Sequence, residues 1–307
     1  MLAHSIFGHE LGHPIAADYL AQEDSNPAHQ ATYIQIQKQV SEQVNQDVAE
    51  FPFLLDDAQK LALKTQFFNN VLQIRKRALE ELISDAVGIF IFGPSAYFAC
   101  HEFFWVGNWD AKPSANEWYP PSRMRIRLML KLVDQSGFME KLTQTAHKQC
   151  PEYVTAVKEF IDEATRLASI TTDKTNIEAD KQLKIAYDWM DKSLDQAIAF
   201  AKEKSKDVAF QVDTVLPQLA ELIQRLELGV PPNEVGDPAN PEVVDYRASL
   251  LAAWMFKLKG VDSKTGKLLT SKQIDQLHQQ TLRAIEYVIL QADYAVSTSA
   301  SSTGAEK

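Results

Sequence analysis

Apolar residues recur at helical spacing along most of the chain. Over residues 29 to 50, Tyr33, Ile36, Val40, Val44 and Val48 fall on one face of a helix. Residues 57 to 92 carry a longer apolar-rich segment through Leu61, Phe68, Leu72 and Leu79. After Pro151 the pattern becomes simpler. Segments 151 to 171, 176 to 205 and 207 to 227 read as amphipathic helices, with Leu, Ile, Val and Ala on one side and Lys, Glu, Asp and Gln on the other. The run from Gly229 to Pro241 holds Pro231, Pro232, Gly236 and Pro238 and reads as a loop. A helix through Val244, Leu250, Leu251, Trp254 and Met255 follows, then a last one from Ser271, a suitable N-cap, to Val296. Strand-like alternation is missing, and no internal repeat stands out. The pattern predicts an all-α, mostly helical chain in three parts: residues 1–150, a helical domain over 151–296, and a tail over 297–307. That tail is rich in Ser, Thr, Gly and Ala and is expected to be disordered.

Two stretches stand apart from this rhythm. Ala86 to Cys100 is uncharged and rich in Ile, Phe and Tyr, but Gly93-Pro94 interrupts it and it falls short of the roughly 20 apolar residues a membrane span needs. It reads as a buried core helix with a hinge, which leaves membrane association open without favouring it. Gly107 to Ser122, with Trp109, Trp118 and three prolines, reads as an ordered loop.

Composition narrows the class. The chain is 45% hydrophobic and 23% charged over 307 residues, enough for a sizeable core in one large or two smaller domains. A net charge of −10 argues against nucleic acid as a partner, since that would need a basic stripe. The short clusters Arg75-Lys76-Arg77 and Arg123 to Arg127 read as solvated faces or internal ion pairs. Cys100 and Cys150 make no disulfide framework, and no signal peptide is visible, so a reducing, cytoplasmic compartment is expected. The sequence carries no signal for an oligomeric state.

The candidate chemistry lies at residues 9 to 13, His-Glu-Leu-Gly-His. On a helix, His9 and His13 project from one face a turn apart and can offer two imidazole nitrogens to one ion. Glu10 stands beside them, within reach of a water held by that ion. Catalytic zinc keeps three protein ligands and one open position, where it lowers the pKa of water to about 7. Both histidines fall on the stripe Leu2, Ile6, Ala16 (or Ala17) and Leu20, so they are expected to face inward.

A third ligand is sought among carboxylates. In Glu81-Leu82-Ile83-Ser84-Asp85, Glu81 and Asp85 again stand four apart on a helical segment, so that one can bind metal while the other accepts a hydrogen bond from the outer N–H of a ligand histidine. Glu80, one position away, is a rival. The two motifs together resemble the gluzincin metallopeptidases, and the 67 residues between His13 and Glu81 resemble the membrane-associated gluzincins, which carry a longer insert. The resemblance covers about residues 1 to 130. It implies a zincin-like set of metal-site helices followed by a C-terminal helical bundle, with Zn2+ on His9, His13 and Glu81, Glu10 as general base and Asp85 as the partner of His9. It also implies a peptide or protein substrate. Tyr119 to Ile126 looks like the His-Pro-x-x-x-x-Arg-Ile element of that group, and Arg125 matches its arginine. Tyr119 stands where the oxyanion-steadying histidine is expected, and His101 is the nearby histidine able to replace it. A phenol can donate that hydrogen bond, while an aromatic packed beside the Pro120-Pro121 turn is the other reading of Tyr119.

Pro14 disfavours helical geometry at His13 and removes a helix hydrogen bond, so the motif helix is expected to kink or end there. A gluzincin domain also places a sheet before its active helix, whereas Met1 here already stands at that helix. Either the chain begins late or this is a reduced, mainly helical version. Two functions are therefore carried forward: a zinc-dependent metallopeptidase, and a non-catalytic helical interaction protein that retains a structural zinc site.

Overall fold

The computed structural model describes residues 6–49, 56–105, 109–113, 118–262 and 265–303. Helices α1 (Phe7–Ser25), α2 (Pro27–Ala49) and α3 (Asp57–Phe92) lead into α4 (Pro94–Trp105), α5 (Ser122–Gln135) and α6 (Phe138–Ala146). After these come α7 (Pro151–Ala168), α8 (Thr172–Glu178), α9 (Lys181–Ser205), the single turn α10 (Val212–Val215) and α11 (Leu219–Glu227). Two short strands, β1 (Glu234–Val235) and β2 (Glu242–Val243), precede α12 (Tyr246–Lys259) and α13 (Ser271–Thr303). The chain is mostly all-α. Its strands pair antiparallel, Glu234 opposite Val243, with β1 inside the Pro/Gly-rich run that the sequence marks only as a loop and β2 just past its end.

Helix α3 is the axis of the fold. The Asp56 carboxylate accepts the Gln59 backbone N–H at 2.7 Å while the Gln59 side chain accepts the Asp56 N–H at 2.9 Å, a capping box that fixes the start. Gly93, at φ +58°, ends the helix, and its N–H reaches the Ile89 carbonyl at 2.8 Å. From Glu81 to Ile89 every residue of α3 is buried, because α1, α2, α5 and α9 all pack on it. The apolar stretch Ala86 to Cys100 is thus core, bent at Gly93-Pro94. No helix among the described residues is long and apolar enough to cross a membrane.

The expected boundary near residue 150 falls between α6 and α7. Helices on both sides share one core: α9 lies along α3, and α12 packs on α4 and α7. Buried charge is paired across these helices. Arg75 of α3 donates to the Glu23 carboxylate of α1 at 2.7 Å and also meets Ser193 of α9. Cys100 and Cys150 are free thiols in the core.

Two expectations change. α1 runs through Pro14 without ending. Pro14 is exposed, so the carbonyl of Glu10 that loses its helix donor can face water, and the packing of Gly12, Ala16 and Tyr19 on α3 outweighs the local cost. Likewise α13 does not stop at Val296 but continues to Thr303. The Ser, Thr and Ala residues there include no helix breaker before Gly304, so nothing local ends the helix. Of the Gly107 to Ser122 loop, residues 107–108 and 114–117 lie outside the described residues, as do Leu2 and residues 304–307 of the expected tail.

Candidate metal centre

Backbone contact between two helices brings the motif residues together. A Cβ on Gly12 would lie 2.4 Å from the Ser84 Cα, and one on Gly8 would lie 2.9 Å from the Gly88 Cα. Only glycine permits that approach, and Gly8 and Gly12 are four apart, so α1 seats flat along α3 over a full turn. His9 and His13 follow them in sequence and are carried to the row of carboxylates on α3.

Each histidine is oriented by a different carboxylate. His9 Nδ1 stands 2.9 Å from Asp85 Oδ1, and His13 Nδ1 stands 3.1 Å from Glu80 Oε1. The two rings meet edge to face with centroids 4.8 Å apart. His9 Nε2 lies 3.4 Å from Glu81 Oε2, and His13 Nε2 lies 3.9 Å from Glu10 Oε2. The ligand atoms of His9, Glu10 and His13 all lie within 4.8 Å of one another, a set able to hold a metal ion, and Glu81 adjoins that set through His9.

A layer of arginine closes the far side. Arg125 of α5 donates twice to Asp85, from Nε at 2.7 Å and Nη2 at 2.7 Å, and its Nη1 lies 3.1 Å from Glu81 Oε2. Arg77 pairs with Glu80 at 2.8 Å, and its Nη2 comes within 3.0 Å of Glu81 Oε1. That second approach lacks hydrogen-bond geometry: Glu81 Oε1 is buried and accepts no hydrogen bond. Arg125 also covers the Phe104 ring at 4.8 Å.

The carboxylates favour positive charge on His9 itself. Burial opposes charge on His9, but hydrogen bonds to Asp85 and Glu81 outweigh it and raise its pKa to about 9. Glu81 and Asp85 are pushed up by burial, yet both lie below the usual carboxylate range, Glu81 through His9 and Arg125 and Asp85 through Arg125 and His9. One pair of the expected ligands, His9 and Glu81, has the spacing that zinc needs. Two ligands on a tetrahedral zinc with bonds of about 2.0–2.1 Å stand about 3.3–3.4 Å apart, and the His9 Nε2 to Glu81 Oε2 separation of 3.4 Å matches.

The remaining candidates lie at different distances from this centre. Glu10 is exposed on the outer side of α1 with its carboxylate toward His13. Tyr119 is exposed at the rim, its ring 4.4 Å beneath the Arg77 guanidinium, and it follows Trp118, whose φ of +54° is unusual for a bulky residue. His101 is buried among Tyr97, Trp109 and Phe160, and burial lowers its pKa to about 4. Asp85, Glu81 and Arg125 stand together with the histidines, whereas the ring contacts of His101 are with the aromatic cluster. Glu80, in sequence a rival of Glu81, is the partner of His13, and Arg77, of a cluster that reads as solvated faces or internal ion pairs, is ion-paired to Glu80 at the site. The Gly8/Gly12 spacing beside the two histidines was the available signal that α1 packs at backbone distance.

No family model, no curated protein and no solved structure matches this chain.

Proposed function

We propose that this protein is a zinc-dependent metallopeptidase-like hydrolase, with the ion on His9, His13 and Glu81. The observation that carries this reading is the pinning of both Nδ1 atoms by carboxylates of α3, which leaves His9 Nε2 beside Glu81 and His13 Nε2 toward Glu10. Histidine ligands of metals are held in this way, since the outer hydrogen bond fixes the tautomer and the ring orientation. Bound there, zinc would polarise a peptide carbonyl and acidify water.

The chain's own residues supply the rest. Glu10 is solvent-accessible and adjacent to His13, so its carboxylate can take a proton from water and return it to the leaving amine. Asp85 and Arg125 hold His9 from behind and keep water from that side of the ring. Tyr119 is the first candidate to donate a hydrogen bond to the oxyanion, because Arg77 fixes its ring at the rim. His101 is the second, and its neutral imidazole retains one N–H at neutral pH. The substrate proposed is a peptide or protein.

One observation favours the alternative of a non-catalytic helical interaction protein that keeps zinc, or its ion-pair network alone, as a structural clasp. Arg77 and Arg125 both crowd Glu81, so α1, α3 and α5 are already tied together by charge. The two readings part on Glu10→Gln assayed with a peptide library. The peptidase reading expects zinc to be retained and cleavage to fall by about a thousandfold or more, consistent with loss of a general base alone costing about 10²–10⁴. A zinc-loaded wild type that cleaves nothing contradicts that reading and favours the clasp.

A further inference from the structure

A second site lies on the other end of the same two helices. Past Asp85, α3 continues through Ile89 and Phe90 to the hinge at Gly93-Pro94; past Arg125, α5 continues through Leu128, Leu132 and Val133. With α9 these helices enclose a cleft of about 470 Å³, inside the range of roughly 300–1,000 Å³ typical of small-ligand sites. Phe210 forms one wall. Its N–H donates to the Phe90 carbonyl at 2.7 Å, and its ring lies where a Cβ on residue 93 would be, 2.7 Å from that position, so Gly93 is what lets it close over the hinge.

The lining is divided. Ile89, Leu132, Leu194 and Ile198 give an apolar floor, while Lys131, Lys202 and Lys206 stand at the margin. Lys131 has Asp195 at 3.7 Å and Lys206 pairs with Glu203, whereas Lys202 makes no hydrogen bond or ion pair with any described residue. With Lys131 beside Asp195 and Lys206 paired with Glu203, Lys202 is the cation that leaves the margin positive on a chain whose net charge is −10. The N-terminus of α4 at Pro94 opens onto the same cleft and adds a partial positive charge. An apolar trough with a cationic margin is complementary to a hydrocarbon chain that ends in an anion.

We propose that this cleft binds a long-chain fatty acid, with its tail on the apolar floor and its carboxylate at the lysines. The site shares no residue with the metal centre and stands whether or not that centre binds zinc.

Binding is tested on the full-length, metal-free protein by displacement of a fluorescent fatty-acid probe. Decanoate, laurate and myristate should compete with affinity rising by up to about fourfold per methylene until the trough is full. Dodecanol should compete about fivefold more weakly than laurate, as expected for loss of contact with a partly exposed cation. Lys202→Glu should weaken laurate by at least that factor and leave dodecanol unchanged. Ala199→Trp, a substitution at an exposed lining position, should weaken both ligands while circular dichroism stays that of the wild type. Equal affinity of dodecanol and laurate, or laurate binding indifferent to both substitutions, would overturn the proposal, as would no displacement by any chain length. Dimerisation that occludes the probe without fatty acid would assign the trough to a second copy of the chain instead.

Discussion

His9 Nδ1 and Asp85 Oδ1 stand 2.9 Å apart across the contact of α1 with α3, and Arg125 holds the same aspartate by two further hydrogen bonds. The aspartate thus does two jobs: it orients a candidate metal ligand and neutralises a buried arginine.

Asp85→Asn separates those jobs. The amide oxygen can still accept from His9 Nδ1, but Arg125 keeps only Glu81 as a charge partner, so the protein should lose about 1.5–3 kcal/mol of stability and zinc affinity should fall about 10–100-fold. Urea unfolding and zinc titration read the two effects. Unchanged values for both would mean that the contact is incidental.

Gly12→Ala sets local propensity against packing. Alanine in a helix interior is favoured over glycine by about 1 kcal/mol, but the added methyl would lie 2.4 Å from the Ser84 backbone. Overpacking of this kind costs about 1–3 kcal/mol, and here the nearest atom is backbone, so the variant should be less stable and bind zinc more weakly. A more stable Gly12→Ala protein would show that the helices are not seated as described.

His101 gives a pH dependence of known sign. Burial lowers its pKa from 6.5 to about 4, so between these values the unfolded chain binds a proton that the folded chain does not. Stability should therefore be fully present above about pH 6.5 and be lost as pH falls toward 4, by roughly 3 kcal/mol at most. His101→Phe should flatten that part of the unfolding-against-pH curve, measured by denaturant titration. An identical curve for the variant would contradict the buried, neutral imidazole.

Much of this architecture is legible in the residues. Helical periodicity places α2 and α3 almost to the residue, and Gly93-Pro94 marks the hinge, because those signals are local. Spacing also singles out Glu81 and Asp85, and the family resemblance points to Arg125; the fold brings all three to His9. The continuation of α1 through Pro14 was not legible, since a proline's local penalty is visible in sequence and the backbone contact that overrides it is not. Nor was the choice of Glu80 as partner to His13: two adjacent glutamates differ by 100° around a helix, and only the seating of α1 decides which one each histidine meets. The pairing of β1 with β2 escaped notice because strands of two residues carry no alternation to detect.

The central claim is that His9, His13 and Glu81 hold one zinc ion. Calorimetric titration of the metal-free protein with zinc, repeated on Glu81→Ala and His13→Ala, tests it most directly. The wild type should bind about one zinc per chain, in keeping with a single three-ligand site, and both variants should lose tight binding while remaining folded by circular dichroism. A wild type that takes up no zinc, or a Glu81→Ala variant that binds it as tightly as the wild type, would contradict the account.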